Sequence, residues 1–419
     1  MFPAFDTALS AMTADSTAID IVGNNLANLN TTGFKASEVN FHDLVSQSLG
    51  AGGINGQVGM GVGQVQAVQN FTQGSINTTN GPMDAAIEGD GFFVVKDANN
   101  NTLYTRAGNF QLDAKGNLLT ATGQYVQGWT AVNGVVNPNG PVSNLVFPVG
   151  GLIAPTPTST MSMTINLNSQ AGTTGPTSTF SAPMQVYDSQ GNAHTLTITF
   201  TKTGANAWSY TATLPAADLK SGTSTTVGTG NLTFDGTGTL TTPAATDPPQ
   251  SIKITDLADG ADTSGLTINW SLFDATGNPL ITQYAQTSGM SNPVQDGNSA
   301  GQVTKIGIQN GGVIVANYSN GRQLTIGQIA LASITNPSSL IQVGDNNLQT
   351  SAATAQVAVG PANSGSRGQI EGGALEASTA DMAGQFTNLL TYERSYQAAS
   401  RIITTSDQLL QETVNLIHP

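Results

Sequence analysis

The sequence predicts a mixed, mainly β protein in which antiparallel β-domains are nested one inside another and N- and C-terminal helices pair as a coiled coil. Three observations carry that prediction. Apolar residues recur at every seventh position near both ends of the chain. The middle repeats short alternating runs split by Asp/Asn and Gly turns. Two stretches rich in Gly, Asn and Pro or Ser mark where the chain crosses from one domain into another and back.

Residues 1–30 form the first helix. With Phe5 as heptad position a, Met12, Ile19 and Leu26 also fall on a, while Ala8, Val22 and Leu29 fall on d and Asp15 is the exception. Such spacing keeps one seam on one side of a helix and calls for a partner. Residues 31–70 form an irregular, Gly-rich connector, entered through Gly33 and Phe34 of "TTGF", where Gly lets the chain turn away from the helix. Residues 71–145 and 285–360 form the two parts of one β-domain, and 146–284 form a second β-domain inserted between them. Phrases such as "VVKDANNNTLYTR", "FQLDAKGNLLTATGQ", "QVYDSQGNAHTLTITF" and "SLFDATGNPLITQY" share a hairpin grammar. Asp or Asn starts the turn, Gly supplies the positive φ that closes it, and the flanks alternate. Residues 361–419 return to helix: Met382, Leu389, Tyr396, Ile403, Leu410 and Ile417 are spaced by seven, and "STAD" at Ser378 to Asp381 reads as its capping box.

Composition narrows the function. Charged residues make up 9% and hydrophobic ones 38%, with Gly, Ser, Thr and Asn filling the place of charge. The net charge is −14 and the 12 Lys and Arg are scattered, so nothing here neutralises phosphates and nucleic-acid binding is excluded. No apolar run approaches the roughly 18 residues of a membrane span, so no membrane insertion is expected. The start, "MFPAFDTALSAM", lacks the positive flank and apolar core of a secretory signal. That fits a cytoplasmic protein or export by another route. Cysteine is absent, which removes disulfides, zinc–thiolate sites and Cys nucleophiles. His42, His194 and His418 lie far apart and have no metal-ligand spacing. "DANNN" and "DSQGN" offer oxygen ligands but not the calcium loop pattern. No catalytic constellation, cofactor or metal is called for.

The helical ends raise a different question. From Ser16 to Phe34 the only charge is Asp20, and Asn24, Asn25 and Asn28 stand where a soluble helix carries Lys and Glu. Ordering a residue costs about 1–2 kcal/mol of backbone entropy. Burying a large apolar side chain returns roughly 1.5–3 kcal/mol. An isolated helix pair with so few large anchors is marginal; packed among copies of itself it is not. The amide-dressed face is therefore read as an interface with neighbouring copies, with Asn24, Asn25 and Asn28 as polar anchors.

These segments resemble a known family. "GNNLANLNTTGFK" is similar to the N-terminal pattern of bacterial flagellar rod and hook axial proteins, and "GALEASTADMAGQFTNLLTYERSYQAASRIITTSDQLLQETVNL" to their C-terminal one. "FTQGSINTTNGPMDAAIEGDGFFVV" with "YTRAGNFQLDAKGNLLTATGQYVQG" is similar to their shared β-domain. The resemblance implies a non-enzymatic, extracellular subunit in the hook and basal-body region of the flagellum. It is exported unfolded by the flagellar type III apparatus and assembles beneath a hook cap into a helical homo-polymer. The length, the insertion and "VYDSQGNAH" fit the members that form a curved, flexible tube, a universal joint carrying torque from rod to filament. Its neighbours would be the distal rod protein and the hook–filament junction protein. Terminal helices would line the tube, the shared β-domain the middle layer and the insertion the outer one, with the connector stiffening contacts between layers. The rival readings are a distal rod or other axial subunit, a secreted β-rich adhesin, and, more remotely, a polysaccharide hydrolase.

Overall fold

The computed structural model describes residues 3–44, 47–48, 57–147, 149–220, 225–262 and 265–417. The chain divides into two compact units: Met1–Val149 with Lys305–Ala316 and Gln323–Pro419, and Gly150–Thr304 with Asn317–Arg322. The return crossing therefore lies near residue 304, not 285. Strand Gly289–Gln295 pairs with Thr160–Asn166, which keeps it hydrogen-bonded inside the inserted unit. The terminal helices and the shared β-domain, expected as separate domains, fall in one unit.

In that unit, α1 (Pro3–Ala27) and α2 (Met382–Ile417) pack together. Pro3 opens α1, where its missing N–H costs nothing. The helix ends in a turn in which Asn28 Nδ2 donates to the Asn24 carbonyl at 2.9 Å. The N-cap of α2 is Asp381, the last residue of "STAD" rather than its first. Asp381 Oδ2 accepts from Gly384 N at 2.8 Å, because the chain up to Ala377 is still engaged in strand pairing. No described helix is both long and apolar enough to cross a membrane.

The β-part of this unit is built around strand Phe92–Lys96, which pairs antiparallel with Thr102–Thr105, Tyr125–Thr130 and Leu331–Ser333. Phe92, Val94, Tyr104, Ala332, Ile334, Leu340 and Leu348 form a core on one face, while Phe93 meets Phe110 edge-on at 5.0 Å. The connector is partly regular, contrary to expectation: Ser37–Asn40 pairs with Gln66–Gln69, and Gln47–Ser48 with Gln57–Val58.

The inserted unit contains two five-stranded sheets. One is a meander, Thr179–Tyr187, Ala193–Gly204, Ala207–Thr213, Thr226–Phe234 and Leu240–Thr242. Strict alternation in "HTLTITF" puts Leu196, Ile198 and Phe200 in the core. In the other, Thr160–Asn166 runs parallel to Leu266–Ser271, a departure from all-antiparallel pairing. Trp270 is fully buried against Phe200 (6.1 Å) and Tyr210 (5.1 Å, perpendicular).

The expected hairpin turns share one hydrogen-bonding scheme. Asp97, Asp113, Asp188, Asp235 and Asp274 each accept through Oδ1 from the backbone N–H groups two and four residues on. A positive φ follows at Asn100, Gly116, Gly191, Gly238 and Gly277. In the exposed turns the bond from Asn101, Asn117, Thr237 or Asn278 to the ionised side chain, helped by the backbone donors, lowers the carboxyl pKa; Asp274 falls to about 2. A folded value below the unfolded 3.8 means that this stability is complete above about 3.8 and is lost as pH falls toward about 2. Urea midpoints are expected to drop through that window. Replacing Asp97, Asp113, Asp235 and Asp274 together by Asn should flatten the drop.

Candidate assembly surface and its anchor

The buried seam of α1 is not the line of large apolar residues. Ala8, Ala14, Asp15, Ala18, Val22 and Asn25 are buried, whereas Phe5, Met12, Ile19, Leu26 and Leu29 are half-buried. The most buried positions of α1 are thus mostly small or polar, and its large apolar residues lie at the margin. On α2, Ala399 is buried and Leu389, Tyr392 and Ile403 are half-buried; Met382, Tyr396 and Leu410 are exposed. The side chain of Ile417 lies outside the described residues. Tyr392 packs on Phe41 at 5.8 Å. Burial, and then the charge of Asp15 across the seam, raise its phenol pKa.

The three asparagines have different roles. Asn25 is buried inside the chain. Its Nδ2 donates to Ser37 O (2.8 Å) and Gln385 Oε1 (3.0 Å), and its Oδ1 accepts from Ser37 N (2.9 Å). It ties α1 to the connector strand and to the first turn of α2, so it is an internal tie rather than a contact for another copy. Asn24 is exposed and Asn28 half-buried. Both line a groove of about 400 Å³ together with Thr31, Phe34, Thr105 and Asn346.

Next along the chain from Phe34 and Thr105 of that groove is an anchor that sequence reasoning missed. Lys35, Arg106 and Glu376 are buried together. Glu376 Oε1 accepts from Lys35 Nζ (2.7 Å) and Gly74 N (2.8 Å), and Oε2 accepts from Arg106 Nη1 (3.3 Å). Lys35 also donates to Thr72 O (2.7 Å), and Arg106 to Gly89 O (2.8 Å), with its guanidinium 5.3 Å over Phe92. Burial lowers the Lys35 pKa, against the opposing pull of Glu376. Gly33 and Phe34, both buried, complete the knot. Gly33 N donates to Glu376 O (2.8 Å), and Gly33 has φ +67°, with the backbone of Arg106 and Ala107 filling the space of a Cβ. Ala36 N donates to Thr379 Oγ1 (2.8 Å). Strands Ala374–Glu376 and Ile76–Thr78 pair alongside. The knot thus fastens the chain leaving α1 and the chain entering α2 to the same β-framework. The available signal was sparse charge: in a chain with 9% charged residues, all three fall inside the segments "TTGFK", "YTRAGNF" and "ALEAST".

The outward surface of the helices is apolar. Leu9, Met382, Phe386, Leu390, Ile402, Leu409 and Val414 are each at least half exposed. α2 has 36 residues against 25 in α1, and every residue from 407 to 414 is exposed.

Comparison with known proteins agrees with this arrangement. Residues 5–35 match the family described as flagella basal body rod protein, and residues 371–416 the flagellar basal body rod FlgEFG protein C-terminal family. Residues 86–171 match the flagellar hook protein FlgE/F/G D1 domain, and 166–298 the flagellar basal body protein FlaE D2 domain. The chain is 33% identical to the flagellar hook protein FlgE of Borreliella burgdorferi, covering 98% of each chain. It is 33% identical to that of Escherichia coli K12 (99% of this chain, 100% of the relative) and 34% to that of Treponema pallidum (98% of each). With family matches at both ends and in both β-units, and relatives aligned along nearly their whole length, this chain belongs to the family of bacterial flagellar hook proteins.

Proposed function

We propose that this chain is a structural subunit of the flagellar hook, polymerising through its terminal helices into a curved tube that transmits torque from rod to filament as a universal joint. The observation that carries this reading is the uncovered apolar surface of the helix pair, above all on α2, where Met382, Phe386 and Leu390 follow one another at single-turn spacing. A helix buries one stripe against its partner; a second apolar stripe on the other side calls for another packed neighbour. Identical subunits supply that neighbour without any further component. Gly23 fits the same picture. It is exposed, and a Cβ there would meet nothing within 4 Å beyond its own stretch of helix, so no packing inside the chain explains a residue that costs a helix about 1 kcal/mol.

In this setting the subunit works outside the cell after passage through the flagellar type III apparatus. It joins the distal rod protein at one end of the tube and the hook–filament junction protein at the other, beneath a cap during growth. The polar Thr/Asn/Gly surface of the inserted unit suits outer contacts that slide as the tube bends, since hydrated contacts re-form without locking one curvature. The connector contributes by stiffening the layers.

The test replaces Leu390 and Ile402, each about half exposed, by Asp. Surface changes of this kind leave monomer stability within about 0.5 kcal/mol. The expected result is an unchanged urea midpoint together with loss of tubes in electron micrographs of assembly reactions. Normal tubes from the double variant would remove the helix surface from the interface.

A further inference from the structure

The repeated Asp turn differs at one place. Six residues after the turn Asp, Leu103, Leu119 and Leu280 follow Asp97, Asp113 and Asp274, and Thr241 follows Asp235. After Asp188 the residue is His194, and it is 6% exposed. Three carboxylates surround its ring within the inserted unit. Nε2 lies 3.4 Å from Asp188 Oδ2 and 3.6 Å from Asp259 Oδ2, and Nδ1 lies 3.2 Å from Asp218 Oδ2. That last approach lacks the alignment of a hydrogen bond, leaving Nδ1 buried without a hydrogen-bond partner.

Charge makes this arrangement unusual. Among the described residues no lysine or arginine forms an ion pair with any of the three carboxylates. In either neutral tautomer one ring nitrogen turns a lone pair toward carboxylate oxygen. Protonating the ring supplies one positive charge against three acids.

We propose that His194 Nε2, Asp188 Oδ2 and Asp259 Oδ2 bind a divalent transition-metal ion of the Zn2+ class. The three ligand atoms lie within 4.8 Å of one another. Tetrahedral ligands on bonds of about 2.0–2.1 Å stand about 3.3 Å apart, close to the two distances at Nε2. Each carboxylate is already oriented for the task. Asp188 Oδ1 accepts from Gln190 N and Asn192 N, and Asp259 Oδ1 accepts from Ala261 N, which leaves both Oδ2 atoms facing the imidazole. Asn192 Nδ2 donates to both Oδ2 atoms at 3.0 Å, an outer hydrogen bond that holds them together, and each oxygen keeps a lone pair. Asp218 Oδ2 stands 3.2 Å from Nδ1, beside the ring nitrogen whose N–H a metal-bound histidine commonly directs to a carboxylate, although the two are not aligned as a hydrogen bond here. The imidazole selects zinc-like ions over calcium. Such an ion would clamp the 188–192 turn, the strand that begins at Ala193 and the loop after Leu257.

The experiment is calorimetric titration of the EDTA-treated full chain with ZnCl2, with metal content measured after dialysis. The expected result is one saturable equivalent per chain and a melting temperature that rises with zinc. His194→Gln should abolish the binding, and Asp259→Asn, at a partly exposed position, should weaken it at least about tenfold. Asp235→Asn, in a turn without histidine, should leave it intact. If His194→Gln fails to fold, the Asp259→Asn comparison decides alone. Absence of a saturable equivalent in the folded wild-type chain overturns the proposal. So does binding that is unaffected by Asp259→Asn, or a His194 ring whose NMR shifts are those of imidazolium and do not move with zinc. Tube formation is not the readout, so failure here is separate from failure of the hook assignment.

Discussion

Glu376→Gln is expected to destabilise the chain by about 3–5 kcal/mol, the usual cost of removing one partner from a buried ion pair. The glutamate meets Lys35 at 2.7 Å and Arg106 at 3.3 Å, and all three residues are almost wholly excluded from solvent. Glutamine keeps the shape but leaves two buried cations with no anion, and one end of its amide presents donors to a donor. Because domains are stable by only about 5–15 kcal/mol, this is a large fraction of the total. Lys35→Met should cost less, since Glu376 would retain Arg106 and the Gly74 amide and an apolar chain would fill the lysine's volume. Urea midpoints of the two variants test this ordering. A loss below about 1 kcal/mol for Glu376→Gln, the value typical of an exposed pair, would show that the cluster is hydrated.

Gly33→Ala should be nearly as severe. An L-residue at φ +67° pays about 1–2 kcal/mol for the left-handed conformation. The added Cβ would also lie 2.5–2.7 Å from backbone atoms of Arg106 and Ala107, which cannot swing aside as a side chain could. Together these place the loss at about 3 kcal/mol or more. Gly23→Ala provides the contrast within the same segment. It has helical geometry and open space around the Cβ, so it should stabilise the isolated chain by about 1 kcal/mol. If both alanine variants melted alike, the connector turn would not be fixed by the contact with Arg106.

Much of the fold was legible because its causes are local. The Asp turn closes through bonds within five residues, so each hairpin could be read from its own phrase. The alternation in "HTLTITF" marked a strand without knowledge of the opposing sheet, and the structure then places Leu196, Ile198 and Phe200 in the core. The terminal helices were visible from their seven-residue spacing, but which of their faces pack together was not. Spacing reports a stripe, whereas the residues most buried on the two helices include the small Ala8, Ala18 and Ala399 rather than the large apolar ones. Asn25 was read as a polar anchor facing another copy, whereas the partners its side chain has here, Ser37 and Gln385, lie within the same chain. The far boundary of the inserted unit was misplaced for a similar reason. A Gly- and Ser-rich stretch reads as a crossing, but its strand Gly289–Gln295 is held by a partner more than a hundred residues earlier.

By itself the sequence determined the mainly β character, the helical ends, the turns, and the resemblance of its separated segments to flagellar axial proteins. Tertiary structure alone decided the Lys35–Arg106–Glu376 knot and the carboxylates gathered around His194. The physical reason is that a turn or a helical stripe is set by neighbours along the chain. A buried charge is instead satisfied by whichever residues the fold brings within about 3 Å, and no spacing in the sequence records that distance.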